Sequence, residues 1–265
     1  MRLANARVWL TGASSGIGEA LVPELTRRGA RVAVTARRAE RLEDLARGWR
    51  ANGGDILVVA GDMSRRDDVL ETYRRIEAAW AGVDVAIFNA GSHSPPSGPG
   101  LDSRQFSDLV ALNYLGPIFG IEAVLPGMLA RRRGQIVGMA SVAGYRALPT
   151  AAAYGASKAA LNFALDALRF DLEPRGISVT VVNPGFVKTP LTDRNTFRMP
   201  FLMPVDRAVS VMVRDIERDR RESRFPIVFT SALKLMRVLP YPIYERLIRL
   251  GTRGQRRTRR SLVGD

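Results

Sequence analysis

Tyr154-Gly-Ala-Ser-Lys158 is the segment of this 265-residue chain whose residue types and spacing best support proton chemistry. Residues four apart on a helix face the same way, so a helix here puts a phenol and an ammonium on one side. A free tyrosine titrates near 10, too high for a base at neutral pH, but a neighbouring Lys⁺ favours the phenolate and lowers that value. Tyr154 can then hand a proton to a carbonyl being reduced or take one from an alcohol being oxidised. The same spacing also describes a tyrosine and a lysine on any surface helix, so the assignment depends on what else the chain supplies.

Thr11-Gly-Ala-Ser-Ser-Gly-Ile-Gly18 supplies a phosphate site. Glycines at 12, 16 and 18 permit a tight turn, backbone approach to a pyrophosphate and close packing of the helix that follows. That helix offers free N–H groups and a positive dipole end to the phosphates. The turn follows a strand and opens a helix, which is the context a dinucleotide site requires. Folds that use NAD usually place an acid about 20 residues further on, against the ribose 2′-hydroxyl. Here the second strand ends Thr35-Ala36-Arg37-Arg38. Guanidinium groups pair with a 2′-phosphate that a carboxylate would repel, so NADP(H) is favoured over NAD(H). The bland alternative leaves both arginines solvated at the head of the next helix. Asp62, after the third strand, can accept a bond from the adenine amino group or simply cap a helix. Asn89-Ala-Gly91, after the fourth, lets the backbone pass close to the cofactor. The positive ring of an oxidised nicotinamide is a second charge that favours the Tyr154 phenolate.

These groups need a scaffold, and the hydrophobic pattern provides one. Short β-branched runs at Arg7–Thr11, Arg31–Ala36, Ile56–Ala60, Val83–Phe88, Gln135–Met139 and Ile177–Val182 read as buried strands, with Pro226–Thr230 as a seventh. Between them, Gly18–Arg28, Ala39–Ala51, Arg65–Trp80 and Ala152–Leu172 are long enough for crossover helices. Strands alternating with helices mean a parallel sheet covered on both faces. The expected fold is α/β: one Rossmann-type, doubly wound domain over residues 1–230 with a roughly seven-stranded parallel sheet, plus a helical extension and basic tail over 231–265.

With these residues quoted, the chain resembles the short-chain dehydrogenase/reductase family, through Thr11–Gly18, Asn89-Ala-Gly91, Asn113, Ser141, Tyr154/Lys158 and Asn183-Pro-Gly185 in the family's order over roughly residues 5 to 230. The resemblance implies a catalytic tetrad. Tyr154 would be the acid/base, Ser141 would hold the substrate oxygen, and Lys158 would bind the nicotinamide ribose and tune Tyr154. Asn113 would keep a water in the proton relay, while Pro184-Gly185 and Thr189 would flank the nicotinamide. The expected cofactor-binding set is Gly12, Ser14, Ser15, Gly16, Ile17, Gly18, Arg37, Arg38, Asp62, Met63, Asn89, Ala90, Gly91, Tyr154, Lys158, Pro184, Gly185, Val187 and Thr189. The activity implied is hydride transfer between NADP(H) and a carbonyl or alcohol of a hydrophobic small molecule. A catalytically silent NADP(H) sensor or scaffold of the same fold is the alternative, although a pure binder has no need of the tetrad.

Composition limits the rest. With no cysteine, disulfides, thiolate metal sites and cysteine nucleophiles are excluded, and the absence fits a cytoplasmic protein. The lone histidine, His93, reads as a loop residue, and no metal site is expected. The N-terminus lacks the apolar run of a signal peptide, and no uninterrupted apolar run of about 18 residues is present. The net charge is +14, yet Lys234–Arg260 holds nine Lys or Arg against one acid, Glu245, an excess of +8. A nucleic-acid groove in the body is therefore not expected. Phe186, Phe197, Met199, Phe201, Leu202 and Met203 suggest either a greasy lid over the substrate or ordinary core packing. The helix around Tyr154 is apolar nearly all round, and a homodimer would cover the side the sheet cannot. Ser231–Leu239 and Ile243–Leu250 read as amphipathic helices that can lie on an anionic membrane, close over the substrate or dock on a partner, with Arg253–Arg260 as a mobile basic tail.

Overall fold

The computed structural model describes residues 2–93, 101–195, 197 and 199–260, with side chains as far as Leu250. Seven strands, β1 (Arg7–Thr11), β2 (Arg31–Thr35), β3 (Ile56–Val58), β4 (Val85–Phe88), β5 (Gly134–Met139), β6 (Ile177–Pro184) and β7 (Glu222–Phe225), form one sheet. Its order is β3-β2-β1-β4-β5-β6-β7, and every neighbouring pair is parallel. Nine helices are described: α1 (Gly16–Arg27), α2 (Ala39–Ala51), α3 (Arg66–Trp80), α4 (Ser103–Val110), α5 (Gly116–Arg131), α6 (Ala152–Leu172), α7 (Val205–Glu217), α8 (Ile227–Leu235) and α9 (Tyr241–Arg260).

Alternation along the strands divides the interior into two cores. Val8 and Leu10 face one layer with Leu21, Leu25, Leu42, Val209 and Met212, whereas Trp9 faces the other with Ile76, Ile121, Met128, Leu161 and Leu165. Successive strand residues point to opposite faces, so an apolar run such as Val8-Trp9-Leu10 must be covered twice. The doubly wound expectation is borne out. The run Ser103–Arg131 is long and apolar enough by composition to cross a membrane. Within it, α5 packs on α3, β4 and β5, and α4 packs on α6, so the run forms part of a layer of the domain.

The seventh strand lies elsewhere than expected. β7 is Glu222–Phe225, while Pro226 caps α8, and Pro226–Thr230 forms the first turn of that helix. Proline has no N–H for a ladder and a φ suited to a helix start, and the Thr230 N–H donates to Pro226 O at 3.0 Å. Glu-Ser-Arg-Phe reads as polar because β7 is an edge strand: only Ser223 and Phe225 turn inward.

The C-terminal segment also differs. α8 crosses residues 230 and 231 and is followed by a 3₁₀ turn at Met236–Val238. α9 then continues to Arg260, so the backbone is helical where a mobile tail was expected. Pro242 does not interrupt it, because it stands in the first turn, where its missing N–H has no partner to lose. Arg146 fastens this segment to the body. Its Nη1 donates to Met236 O and Leu239 O, both at 2.7 Å, and its guanidinium lies 4.0 Å from the centre of the Tyr244 ring. The Tyr244 hydroxyl donates to Ala147 O.

Candidate active site

Strand order reverses between β1 and β4, and in folds of this kind the ligand crevice lies at the C-terminal ends of the strands at that point. Gly12 sits there with φ +70°, a conformation glycine adopts without strain, and a Cβ on it would come within 2.7 Å of Ala90 Cα. Asn89 holds the turn shut. Its Nδ2 donates to Thr11 O at 3.1 Å and Gly12 O at 3.2 Å, while Thr11 Oγ1 accepts from Ala90 N–H at 3.1 Å. The Asn89 amide nitrogen is thus engaged in shaping the glycine turn. Gly18 packs so close to Gly12 O and Asn89 Nδ2 that no side chain fits, which fixes α1 behind the turn. Ser15 and Ile17 stand at the start of α1, with Ser15 exposed as its N-cap.

Of the remaining expected cofactor residues, Arg38 and Thr189 contact this turn. Arg37 and Arg38 are exposed after β2, and Arg38 Nη2 donates to Ser14 Oγ at 3.1 Å, tying the second strand end to the turn. Asp62 Oδ1 accepts from Ser64 N–H at 2.9 Å and Ser64 Oγ at 2.8 Å, the local turn that precedes α3. The Met63 side chain is buried in the core. Across the crevice, Gly185 N–H donates to Phe225 O at 2.8 Å, beyond the Pro184 end of β6. Thr189 closes on the turn, since a Cβ on Gly16 would lie 3.4 Å from its side chain. Val187 is buried and bridges to Met203.

Asn113, Ser141, Tyr154 and Lys158 come from three elements that meet here. Asn113 sits in a π turn, Ala111–Leu115, between α4 and α5, the kind of helix irregularity that often marks functional sites. It is fully buried. Its Oδ1 accepts from Ser92 N–H at 2.9 Å, and its Nδ2 donates to Ser92 O at 3.0 Å and Ser157 Oγ at 3.1 Å. Ser141 follows β5 and caps a 3₁₀ turn, Val142–Gly144, its Oγ accepting from Ala143 N–H at 3.1 Å. Tyr154 and Lys158 share one side of α6, as their spacing predicts. A Cβ on Gly91 would lie 3.1 Å from Asn113 Oδ1 and 3.3 Å from Lys158 Nζ, so the strand-end glycine, the π turn and the ammonium meet at one point.

The electrostatics differ from the expectation in one respect. Lys158 is buried, its Nζ donates to Met139 O at 2.6 Å, and burial pushes its pKa down to about 7. Burial also raises the Tyr154 phenol above its ordinary value, opposed by a hydrogen bond with Ser141. Lys158 Nζ stands 5.8 Å from the phenol ring centre. Desolvation disfavours both charged forms, and the protein's own groups leave the phenol protonated at neutral pH.

Sequence reasoning missed three contributors. His93 is a loop residue, as expected, but its ring meets the Tyr154 ring edge-on at 4.9 Å, its Nδ1 is buried, and burial lowers its pKa. Its position two residues beyond the Asn89-Ala-Gly91 segment was the available signal. Glu222 is the second. It accepts from Tyr145 Oη at 2.5 Å, Asn183 Nδ2 at 3.0 Å and Lys234 Nζ, joining the turn after Ser141 to β6 and α8. Phe229, the third, contacts both Phe186 (centroids 5.7 Å apart) and Phe201 (5.9 Å), so α8 helps build the apolar wall with the segment after Gly185.

Comparison with known proteins agrees with this fold. A family model described as short chain dehydrogenase matches residues 6–198. The chain is 39% identical over 236 residues to an uncharacterized oxidoreductase of Myxococcus xanthus, covering 89% of this chain and 93% of the relative. It superposes on a short-chain dehydrogenase from Sphingobium yanoikuyae in complex with NADPH, with TM-score 0.77, 26% identity and 89% and 97% of the two chains covered. A short chain dehydrogenase/reductase from Burkholderia phymatum in complex with NAD shares the fold at 20% identity, with TM-score 0.82 and 89% and 94% covered.

Burial of Lys158 makes a pH prediction. Its folded pKa of about 7 lies below the ordinary 10.5, so between these values the unfolded chain binds more protons. Stability contributed at this position should therefore rise with pH in that window. Relative to Lys158→Met, the cofactor-free wild type should gain on the order of 2 kcal/mol between about pH 7.5 and about pH 9.5 in urea unfolding. An unchanging difference would contradict the burial of the ammonium.

Proposed function

Because the chain belongs to the short-chain dehydrogenase family of oxidoreductases, we propose that it transfers a hydride between NADP(H) and a carbonyl or alcohol carbon, with Tyr154 as the acid/base. The observation that carries this reading is the convergence of Asn113, Ser141, Tyr154 and Lys158 beside the glycine-turn crevice.

The residues present fit a dinucleotide. Gly12 and Gly18 let the turn close against Ala90 and Asn89, which would set the N–H groups at the start of α1 to receive a pyrophosphate. Arg38, held against Ser14, and the exposed Arg37 would pair with a 2′-phosphate, which favours NADP(H). Lys158 and Asn113, either side of Gly91, would hold the nicotinamide ribose and order the relay.

When bound, a nicotinamide supplies or accepts the hydride. The chain's own groups manage the proton. In reduction, the Ser141 hydroxyl positions the carbonyl oxygen and Tyr154 Oη donates its proton to the oxygen as charge develops there. The phenolate left behind would be stabilised by the Lys158 ammonium and reprotonated from solvent, with Asn113 keeping a water in the relay. In the oxidising direction the phenol must first lose its proton. Its raised pKa would be opposed by the Lys158 ammonium and, when an oxidised nicotinamide is bound, by the positive charge that group supplies. Phe186, Phe197, Phe201 and Phe229 pack into a continuous aromatic wall, which suits a hydrophobic substrate.

The protein acts as a homodimer in this reading. Leu161 and Leu165 of α6 are fully buried against the sheet, whereas Phe163 and Phe170 on the opposite side are 79% and 81% exposed. Two large rings one heptad apart on one helix form a self-complementary contact about a two-fold axis.

Tyr154→Phe should keep the fold and NADPH affinity but lower kcat by about a hundredfold or more, because only the transferable proton is lost. Near wild-type single-turnover rates of ketone reduction would remove Tyr154 from the chemistry. Replacing Arg37 and Arg38 together with Ala should weaken NADPH binding by at least about tenfold while leaving NADH nearly unchanged, since charge-assisted bonds contribute about 1.5–3 kcal/mol each. Equal losses for the two nucleotides in a titration would overturn the preference for NADP(H).

A further inference from the structure

The C-terminal segment presents an apolar surface that the fold leaves outside. Leu235, Val238, Tyr241, Ile243, Leu247 and Leu250 are each between 44% and 77% exposed. This is not a loose end. Arg146 holds the carbonyls of Met236 and Leu239, Tyr244 is buried with its hydroxyl on Ala147 O, and Lys234 pairs with Glu222. The inner side is docked, and the outer side is apolar by construction.

On α9 the exposed residues follow a helical stripe. Ile243, Leu247 and Leu250 stand at i, i+4 and i+7, and so share one face. Arg246 and Arg249, both exposed, each precede one of these leucines and border the stripe on one side, while buried Tyr244 marks the other. The sequence of the same helix adds five arginines between 251 and 260. An apolar strip bordered by guanidinium groups has the chemistry of a bilayer interface: acyl chains take the leucines, headgroup phosphates the arginines.

We propose that this surface docks the protein on an anionic phospholipid membrane. A second copy is disfavoured as its occupant by charge. Lys234–Arg260 carries nine basic residues against one acid, so a two-fold contact here would oppose two excesses of +8. A bilayer containing acidic lipid has the opposite sign. The docked segment contacts Tyr145, Arg146 and Ala147, just beyond the turn that Ser141 caps, and α8 contributes Phe229 to the aromatic wall. The membrane therefore lies on the substrate side of the molecule, where an apolar compound dissolved in lipid is close at hand. Docking does not depend on the catalytic assignment, and binding and turnover are measured separately.

The test is co-sedimentation of the full-length protein with vesicles of phosphatidylcholine alone and of phosphatidylcholine mixed with phosphatidylglycerol. Binding to the mixed vesicles should be at least about tenfold tighter, and should weaken without vanishing as salt rises. Leu247→Gln with Leu250→Gln should reduce binding to both vesicle types and remove the salt-resistant part. Arg246→Gln with Arg249→Gln should remove much of the preference for the anionic vesicles only. Both pairs alter exposed side chains, and circular dichroism with thermal unfolding checks that they fold. Failure of the wild type to sediment with anionic vesicles would overturn the proposal. So would variants that fold and bind as wild type does, or a leucine pair that converts a dimer to a monomer in light scattering, which would assign the stripe to a second copy.

Discussion

A lysine ammonium held out of water beside a phenol is the constraint around which this molecule is arranged. Lys158 Nζ has the Met139 carbonyl as its hydrogen-bond partner at the end of β5, and burial alone drives its pKa down. To bring that ammonium against the sheet, α6 must pack tightly over β5 and β6, as Leu161 and Leu165 do at full burial. Gly91 leaves room beside Nζ, and the π turn carries Asn113 to the same point. An uncompensated buried charge is costly, so the arrangement is tolerable because the lysine can go neutral and because a ligand can restore a partner.

The polar groups behind the site serve the same end. Glu222 gathers Tyr145, Asn183 and Lys234, so that the turn after Ser141, the end of β6 and the start of the C-terminal segment share one carboxylate. Its three donors hold the carboxyl below the usual range despite burial, while Tyr145 is held strongly protonated as a donor. Arg146, next in the chain, grips the carbonyls that end the Met236–Val238 turn. The loop that positions Ser141 is thereby built from contacts with the part of the chain furthest from the family pattern. Changes in the C-terminal segment can reach the serine through two adjacent residues, Tyr145 and Arg146.

What the sequence made legible was local. The glycine turn, the Tyr154–Lys158 spacing, six strands and the crossover helices all follow from period, turn chemistry and helix geometry over a dozen residues or fewer. What it hid was tertiary. Nothing near Asn89 says that its amide closes a turn 77 residues earlier, and nothing near Arg146 says that it captures carbonyls 90 residues later. β7 escaped because an edge strand needs only alternate burial, and Ser223 gave no apolar signal there. The helix through Leu250 was expected to stop short of Arg253–Arg260, but arginine is a good helix former and no proline follows Pro242 in α9. The pKa of Tyr154 was misjudged for a related reason: spacing places the lysine nearby, but only burial reveals that desolvation opposes its charge.

The central claim is that the protein's own groups keep Tyr154 protonated and that a bound oxidised nicotinamide nucleotide brings it into the working range. The direct measurement is an ultraviolet phenolate titration of wild type minus Tyr154→Phe, run with and without saturating NADP⁺. Without nucleotide, the difference signal should appear only above the ordinary tyrosine value. With NADP⁺ it should move down by about two pH units or more, as a nearby positive charge favours the phenolate. A difference signal at the same pH in both titrations would contradict the account.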